Sequence, residues 1–201
     1  VAGFVQPLTT RPPLRDKVFM GLGVGFPGIV DTDRGTVLFS RPMGLHNAKI
    51  ADAIRDELRL RDAAVVLDNN ANLAAEAEIN FGIGKGKANL LFLFMETDEV
   101  GPAVREILPK GFGCGIYLGG RLFRGDDFSA GELDHVLETV EAAGRKNDPG
   151  ALGEEIGKVL AHVLNLLGLS TAVIGADIDF QTHALLSRIR ETVSKNIINF
   201  P

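Results

Sequence analysis

The sequence predicts an α/β fold with a mixed sheet, and three observations carry that expectation. Short apolar, β-branched runs recur along the chain ("VFMGLGVGFPG", "AAVVLD", "NLLFLFM", "TAVIGADI"). Between them lie segments whose apolar residues return every three to four positions, the period of a helix with one buried face. "GFGCGIYLGGRLFRG" reads as two strands joined at Gly119-Gly120, since glycine supplies the positive φ that a two-residue hairpin turn requires. Hairpins followed by strand–helix alternation place antiparallel and parallel strands in one chain.

In chain order, residues 18–28 are expected to form a buried strand running into a Gly-Pro-Gly-type turn, and Asp33-Arg34-Gly35 a turn before a short strand. "KIADAIRDELRL" spaces Ile50, Ile54 and Leu58 four apart, which predicts a helix with one apolar face. "AAVVLD" is a short buried strand. "ANLAAEAEINF" puts Leu73, Ala77 and Phe81 in helical register, and "GIGKGK" ends that helix. Residues 89–95 form another buried strand. Ile156, Val159, Leu160, Val163 and Leu167 stripe a longer helix, "TAVIGADI" is a strand and "THALLSRIRETV" a last helix.

Composition narrows the function. The 201 residues carry 21 Lys+Arg against 26 Asp+Glu, a formal charge of −5, with no basic cluster, so direct binding of DNA or RNA by these residues is not expected. The single cysteine, Cys114, excludes an internal disulfide and a zinc site built from several Cys, and suits a cytoplasmic protein. No apolar run reaches membrane-spanning length. The chain opens on "VAGFVQPLTT" without a methionine, which we read as part of a longer polypeptide.

Four stretches then stand out in order: "GVGFPGIVD", "LDNNANLAAEAE", "GFGCGIYLGGRLFRG" and "AGELDH". Together they resemble the ROK family of sugar kinases and sugar-responsive repressors. That family commonly shows a Gly-x-Pro-Gly-x-Val-Asp turn, a Glu-Asn-Asp-Ala-Asn segment, a Gly-rich hairpin ending in Arg-Gly, and Gly-Glu-x-Gly-His. The resemblance covers roughly residues 19–135 and continues less specifically through 148–175. It implies an actin-like ATPase (ribonuclease H-like) fold, two α/β lobes around a cleft, incomplete in this chain. Residues 1–135 would run from the first lobe through the sugar-site motifs, and 136–201 would complete the second lobe.

The resemblance also implies a site. A sugar presents hydroxyls that both donate and accept, so its pocket needs amides, carboxylates and imidazoles. Asn69 and Asn70, at a strand end where open α/β sheets place ligands, would contact the sugar. The competing reading is a pair of Asn residues capping the next helix. Glu132 and His135 are three apart and can share one side of a helical turn, and both would touch the sugar, with the Gly28 turn as floor. In many relatives that His also ligates zinc beside a Cys-rich loop. No such loop follows here, so no metal is expected.

Kinase chemistry is where the sequence departs from the family. The third residue of the Glu-Asn-Asp triplet is the kinases' base, a role that contributes about 10²–10⁴-fold. Asn70 stands there, and an amide cannot take the proton. Asp68, two residues back on an extended segment, lies roughly 6–7 Å away along the strand. Gly111, Gly113 and Gly115 resemble a phosphate-cradling loop, but its usual Gly-Thr-Gly is replaced by Pro109-Lys110-Gly111 after an apparent insertion, "ETDEVGPAVREIL". Lys110 could still attract a phosphate. "VIGADI" replaces the paired glycines at the last strand.

The expectation is therefore a sugar or sugar-phosphate effector domain of a ROK-type transcriptional regulator, lacking kinase chemistry. It would act as a homodimer or higher homo-oligomer and reach DNA through a helix-turn-helix outside this chain. The alternative is an ATP-dependent, Mg-requiring sugar kinase of the same family. A third reading is a scaffold that only dimerises through the apolar stripe of the 153–168 helix.

Overall fold

A computed structural model describes residues 18–59, 63–97, 109–144, 148–176 and 183–198. The chain divides into two compact units. The first holds residues 1–73 and 125–129, the second 74–124 and 130–201.

In the first unit, β1 (Gly21–Phe26) and β5 (Ala64–Asn69) pair in parallel, while β2 (Ile29–Asp31), β3 (Thr36–Ser40) and β4 (Leu45–Ala48) form an antiparallel sheet. Helix α1 (Ile50–Leu58) packs Ala51 and Ile54 onto Val30, Val37, Val65 and Leu67, which make this unit's core. The alternation along β5 follows from that packing. Val65 and Leu67 turn inward and are buried, whereas Val66 points the other way and is exposed. β1 and β5 run in a register that pairs Gly25 with Asp68 and Phe26 with Asn69, so both strands end at the same level. That register brings the Gly28 turn beside Asn69. β2 and β4 are not evident from the sequence, being only three and four residues long and paired with β3 rather than patterned.

In the second unit, β6 (Leu90–Thr97), β7 (Pro109–Leu118), β8 (Arg121–Leu122) and β9 (Ala172–Ala176) form a mixed sheet in the order β8-β7-β6-β9. β6 is antiparallel to β7 and parallel to β9. The hairpin turns at Gly119 and Gly120, with φ of 58° and 84°, the two positive values its two-residue loop demands. Successive residues of β6 serve opposite faces. Leu90 and Phe92 pack with Ala75 of α2 (Asn70–Phe81), while Leu91, Leu93 and Met95 join Ile156, Leu160, Leu185 and Ile189 on the other side. Each fully buried Leu of this kind contributes about 1.5–3 kcal/mol. That second layer consists of α3 (Asp134–Gly144), α4 (Pro149–Leu167) and α5 (His183–Asn196). Asp148 caps α4 by accepting from the Gly150 N–H at 2.8 Å, with Pro149 in the first turn.

Two helix faces differ from expectation. On α2 the buried residues are Ala71, Asn72 and Ala75, while Ala77 and Phe81 are exposed, Phe81 at 89%. An alanine-rich helix carries little amphipathic contrast, and the sheet accepts its small side chains rather than its one aromatic. On α4 the apolar stripe is core. Leu152, Ile156, Leu160 and Leu164 are all buried, which removes the basis for a scaffold that dimerises through it.

Candidate functional site

In the first unit the strand ends converge on a small group of polar residues. Gly28 adopts a φ of 107°, and a Cβ there would sit 2.3 Å from the Phe39 carbonyl oxygen, so only glycine fits. The Gly28 carbonyl accepts a 2.9 Å hydrogen bond from Asn69 Nδ2. Asn69 Oδ1 meanwhile accepts from the backbone N–H of Ala71 at 2.7 Å and of Asn72 at 3.2 Å, the pattern of a helix N-cap. The capping reading of the Asn pair is thus realised in Asn69 itself. Asn70, the first residue of α2, is half-buried, and its Oδ1 accepts from the Ala71 N–H at 2.9 Å.

Asp68 is buried, and its Oδ1 accepts from the Asn69 N–H at 2.8 Å and from Asn72 Nδ2 at 3.3 Å. A carboxylate bound to its own strand end and to a buried amide is held in place rather than presented for proton transfer. Asn72 is a residue the motif reading passed over. It is buried at 3% exposure, and its Oδ1 has no hydrogen-bond partner. Ser40 Oγ is likewise buried and unpartnered, beside Gly28, whose Cβ would approach the Ser40 Cα to 3.0 Å. No sequence signal singles out either one.

In the second unit, Glu132 lies in an isolated antiparallel bridge opposite Gly113, and α3 begins only at Asp134. Glu132 and His135 therefore do not share a helical turn, because the strand-like contact with β7 claims Glu132 before the helix starts. The side chain of His135 lies outside the described residues. Gly131, at φ 93°, fixes this approach: its carbonyl accepts from the Cys114 N–H at 2.8 Å, and a Cβ would meet the Cys114 carbonyl oxygen at 1.9 Å. Cys114 is buried, and its thiol is pushed up to about 12 by that burial and then by the negative charge of Glu132. That shift keeps the thiol in its unreactive protonated form at neutral pH. Folded protein should accordingly resist iodoacetamide at neutral pH and label only on unfolding. Labelling of native protein at the rate of a free thiol would contradict this burial.

Gly111, Gly113 and Gly115 are strand residues of β7, paired with Glu96, Phe94 and Phe92 of β6. A Cβ on Gly111 would lie 3.1 Å from Glu96 Oε2, so a carboxylate covers that glycine. Gly175 on β9 is covered by the Phe92 ring, 2.3 Å from a hypothetical Cβ. A carboxylate therefore lies beside Gly111 and an aromatic ring over Gly175. The side chain of Lys110, the remaining candidate phosphate contact, and residues 98–108 of the insertion lie outside the described residues. The one thiol, Cys114, is buried in the core beneath β7. Among the described residues no group of three or more His, Cys, Asp or Glu side chains is placed to hold a metal ion. No helix among them is long and apolar enough to cross a membrane.

The fold these strands and helices define is that of the actin-like ATPases, as solved relatives bear out. A ROK family glucokinase from Streptomyces griseus, solved with glucose and AMPPNP, superposes with a TM-score of 0.71 at 20% identity, covering 92% of this chain and 74% of that one. A ROK family transcriptional regulator, a homolog of the E. coli MLC protein, superposes with a TM-score of 0.67 at 18% identity, covering 89% and 55%. The ROK family profile matches residues 5–144, and the chain belongs to that family. Curated relatives fall into two kinds. The glucokinase of Halalkalibacterium halodurans is 30% identical over 61% of this chain and 32% of its own length. The xylose repressor of Caldicellulosiruptor bescii is 30% identical over 66% of this chain and 29% of its own. The chain thus spans about a third of the length of these relatives.

Proposed function

We propose that this chain is the sugar-binding part of a ROK-type transcriptional regulator that lacks kinase chemistry. The observation that carries the reading is the start of α2. The residue in the family's base position is an amide, Asn70, and the adjacent carboxylate, Asp68, is buried and hydrogen-bonded to its own strand end and to Asn72. Proton abstraction needs a carboxylate within hydrogen-bond reach of the attacking hydroxyl. An amide orients a hydroxyl without accepting its proton. The covered glycines, Gly111 under Glu96 and Gly175 under Phe92, support the same conclusion.

In this reading Asn69, Asn70, Glu132 and His135 contact a sugar or sugar phosphate, with the Gly28 turn as floor. Binding shifts the regulator between DNA-bound and DNA-free populations, and the DNA contact belongs to a helix-turn-helix outside these residues. The assembly is a homodimer or higher homo-oligomer in the cytoplasm, with neither nucleotide nor zinc as a cofactor.

A second reading, an ATP-dependent sugar kinase, has one observation in its favour: glucokinases are as similar to this chain as xylose repressors are. Two measurements separate the readings. Calorimetry against D-glucose, D-xylose, N-acetylglucosamine and their phosphates should detect binding of at least one, and silence across the panel at millimolar sugar would sink the sensor. A coupled assay should detect no sugar-dependent ATP consumption, and turnover abolished by Glu132→Ala would establish the kinase. Asn70→Asp should remain inactive in that assay, because restoring a base leaves Glu96 and Phe92 where they are.

A further inference from the structure

We infer that Phe128 is a specificity-determining residue, its ring held as an apolar wall for the C–H face of a pyranose. The inference rests on the sugar-binding reading above and names the kind of sugar that site takes.

The first observation is backbone strain. Among the described residues, three non-glycine positions have a positive φ: Asn47 at 47°, Arg59 at 53° and Phe128 at 63°. Asparagine visits this region readily, because its short polar side chain can hydrogen-bond locally. Arg59 is the left-handed C-cap of α1, where such a φ ends a helix. Phe128 has neither reason. An aromatic side chain in this conformation costs the fold about a factor of ten in its equilibrium constant.

The surrounding loop holds the residue there all the same. The Ala130 N–H donates to the Arg124 carbonyl at 3.2 Å and closes residues 124–130 into a loop. Inside it, Asp127 Oδ1 accepts from the Ser129 N–H at 3.2 Å and from Ser129 Oγ at 2.6 Å, so the turn is braced on both sides of Phe128.

Core packing does not account for the strain. The residue is half-buried, yet among the described residues it belongs to none of the apolar clusters that form the cores. It falls instead within the first unit, which also holds Asn69, Asn70 and the Gly28 turn, and it lies four positions before Glu132 in the chain. Those groups offer a sugar polar contacts alone. A pyranose is amphipathic, with hydroxyls around its rim and C–H groups on its faces. Pockets for such ligands combine a few polar groups with an aromatic surface. The negative face of an aromatic ring attracts the slightly positive C–H groups of the sugar. Phe128 supplies the one surface that the polar set lacks.

The test is calorimetry with D-glucose, D-xylose and N-acetylglucosamine on wild type, Phe128→Tyr, Phe128→Leu and Phe128→Gly. Tyrosine keeps the ring and should bind within about twofold of wild type. Leucine keeps bulk and strain but has no aromatic face, and should bind about fivefold to tenfold more weakly. Glycine should bind as weakly as leucine, while its thermal midpoint stays within about 2 °C of wild type, since relief of strain offsets the lost side chain. A phenylalanine serving the core would instead lose roughly 10 °C on the same change. A fall of that size in Phe128→Gly overturns the inference, as does wild-type affinity in Phe128→Leu. Wild-type protein that binds none of the three sugars sinks the proposed function, and this inference with it. Binding that wild type and Phe128→Leu share equally sinks the inference alone.

Discussion

Gly131→Ala is expected to destabilise the protein by roughly 3–5 kcal/mol, the sum of a strained backbone and an overpacked contact. At φ 93° an alanine is unfavourable on its own, and its methyl would lie 1.9 Å from the Cys114 carbonyl oxygen, a backbone atom that cannot rotate away. Either the bridge between Glu132 and Gly113 opens or β7 distorts. A protein of this size should lose roughly 10 °C in thermal midpoint. Gly119→Ala provides the control. Its φ of 58° is also positive, but nothing lies within 4 Å of its Cβ position, so only the conformational cost of about 1–2 kcal/mol remains. Cys114 reports the mechanism independently, because its N–H donates to Gly131 and its thiol is buried. Opening this contact should make it react with iodoacetamide in otherwise native conditions. Equal midpoints for the two variants would mean that the close approach of Gly131 to β7 is not what holds Glu132.

Gly28→Ala is expected to cost about 3 kcal/mol or more in urea unfolding, for the same two reasons in the first unit. Its Cβ would stand 2.3 Å from the Phe39 oxygen and 3.0 Å from the Ser40 Cα, so β3 blocks the methyl from behind. The loss should extend beyond stability. Moving Gly28 also moves the carbonyl that Asn69 holds at 2.9 Å, so exchange over residues 26–30 should rise together with that of the first turn of α2. Gly44→Ala is the matched control, with φ of 61° and open space around the Cβ position. If both alanines cost the same, the turn is not packed as described, and the Asn69 hydrogen bond to the Gly28 carbonyl does not depend on that packing.

Most strands and helices were legible because their signals are local. The apolar runs became β1, β5, β6 and β9, and the Gly119-Gly120 turn formed where two positive φ values were needed. Stripes at helical spacing located α1, α4 and α5. The failures have a common physical cause. β2 and β4 are short edge partners of β3, and pairing leaves no periodic trace in three or four residues. Helix α2 has too many alanines for its buried face to be read from spacing, which puts Phe81 in register with Leu73 and Ala77 although the folded helix leaves it exposed. The Glu132–His135 spacing allowed a helical turn, but a bridge to Gly113 places Glu132 in an extended segment.

The candidate site divides along the same line. The identity of the residues at each junction was present in the sequence, including the absence of a carboxylate at position 70 and the four ordered motifs that mark the family. Those features depend only on which residue stands where. What each side chain does with its hydrogen bonds was decided by tertiary structure. Asn69 satisfies a helix terminus and a carbonyl 41 residues away, Asp68 is buried against Asn72, and Phe92 covers Gly175. Each of these depends on strand register and close approach between distant segments, which residue order alone does not encode. An amide beside an amide looks like one motif in the sequence; in the fold, the β1–β5 register assigns the first to the turn and leaves the second at the start of the helix.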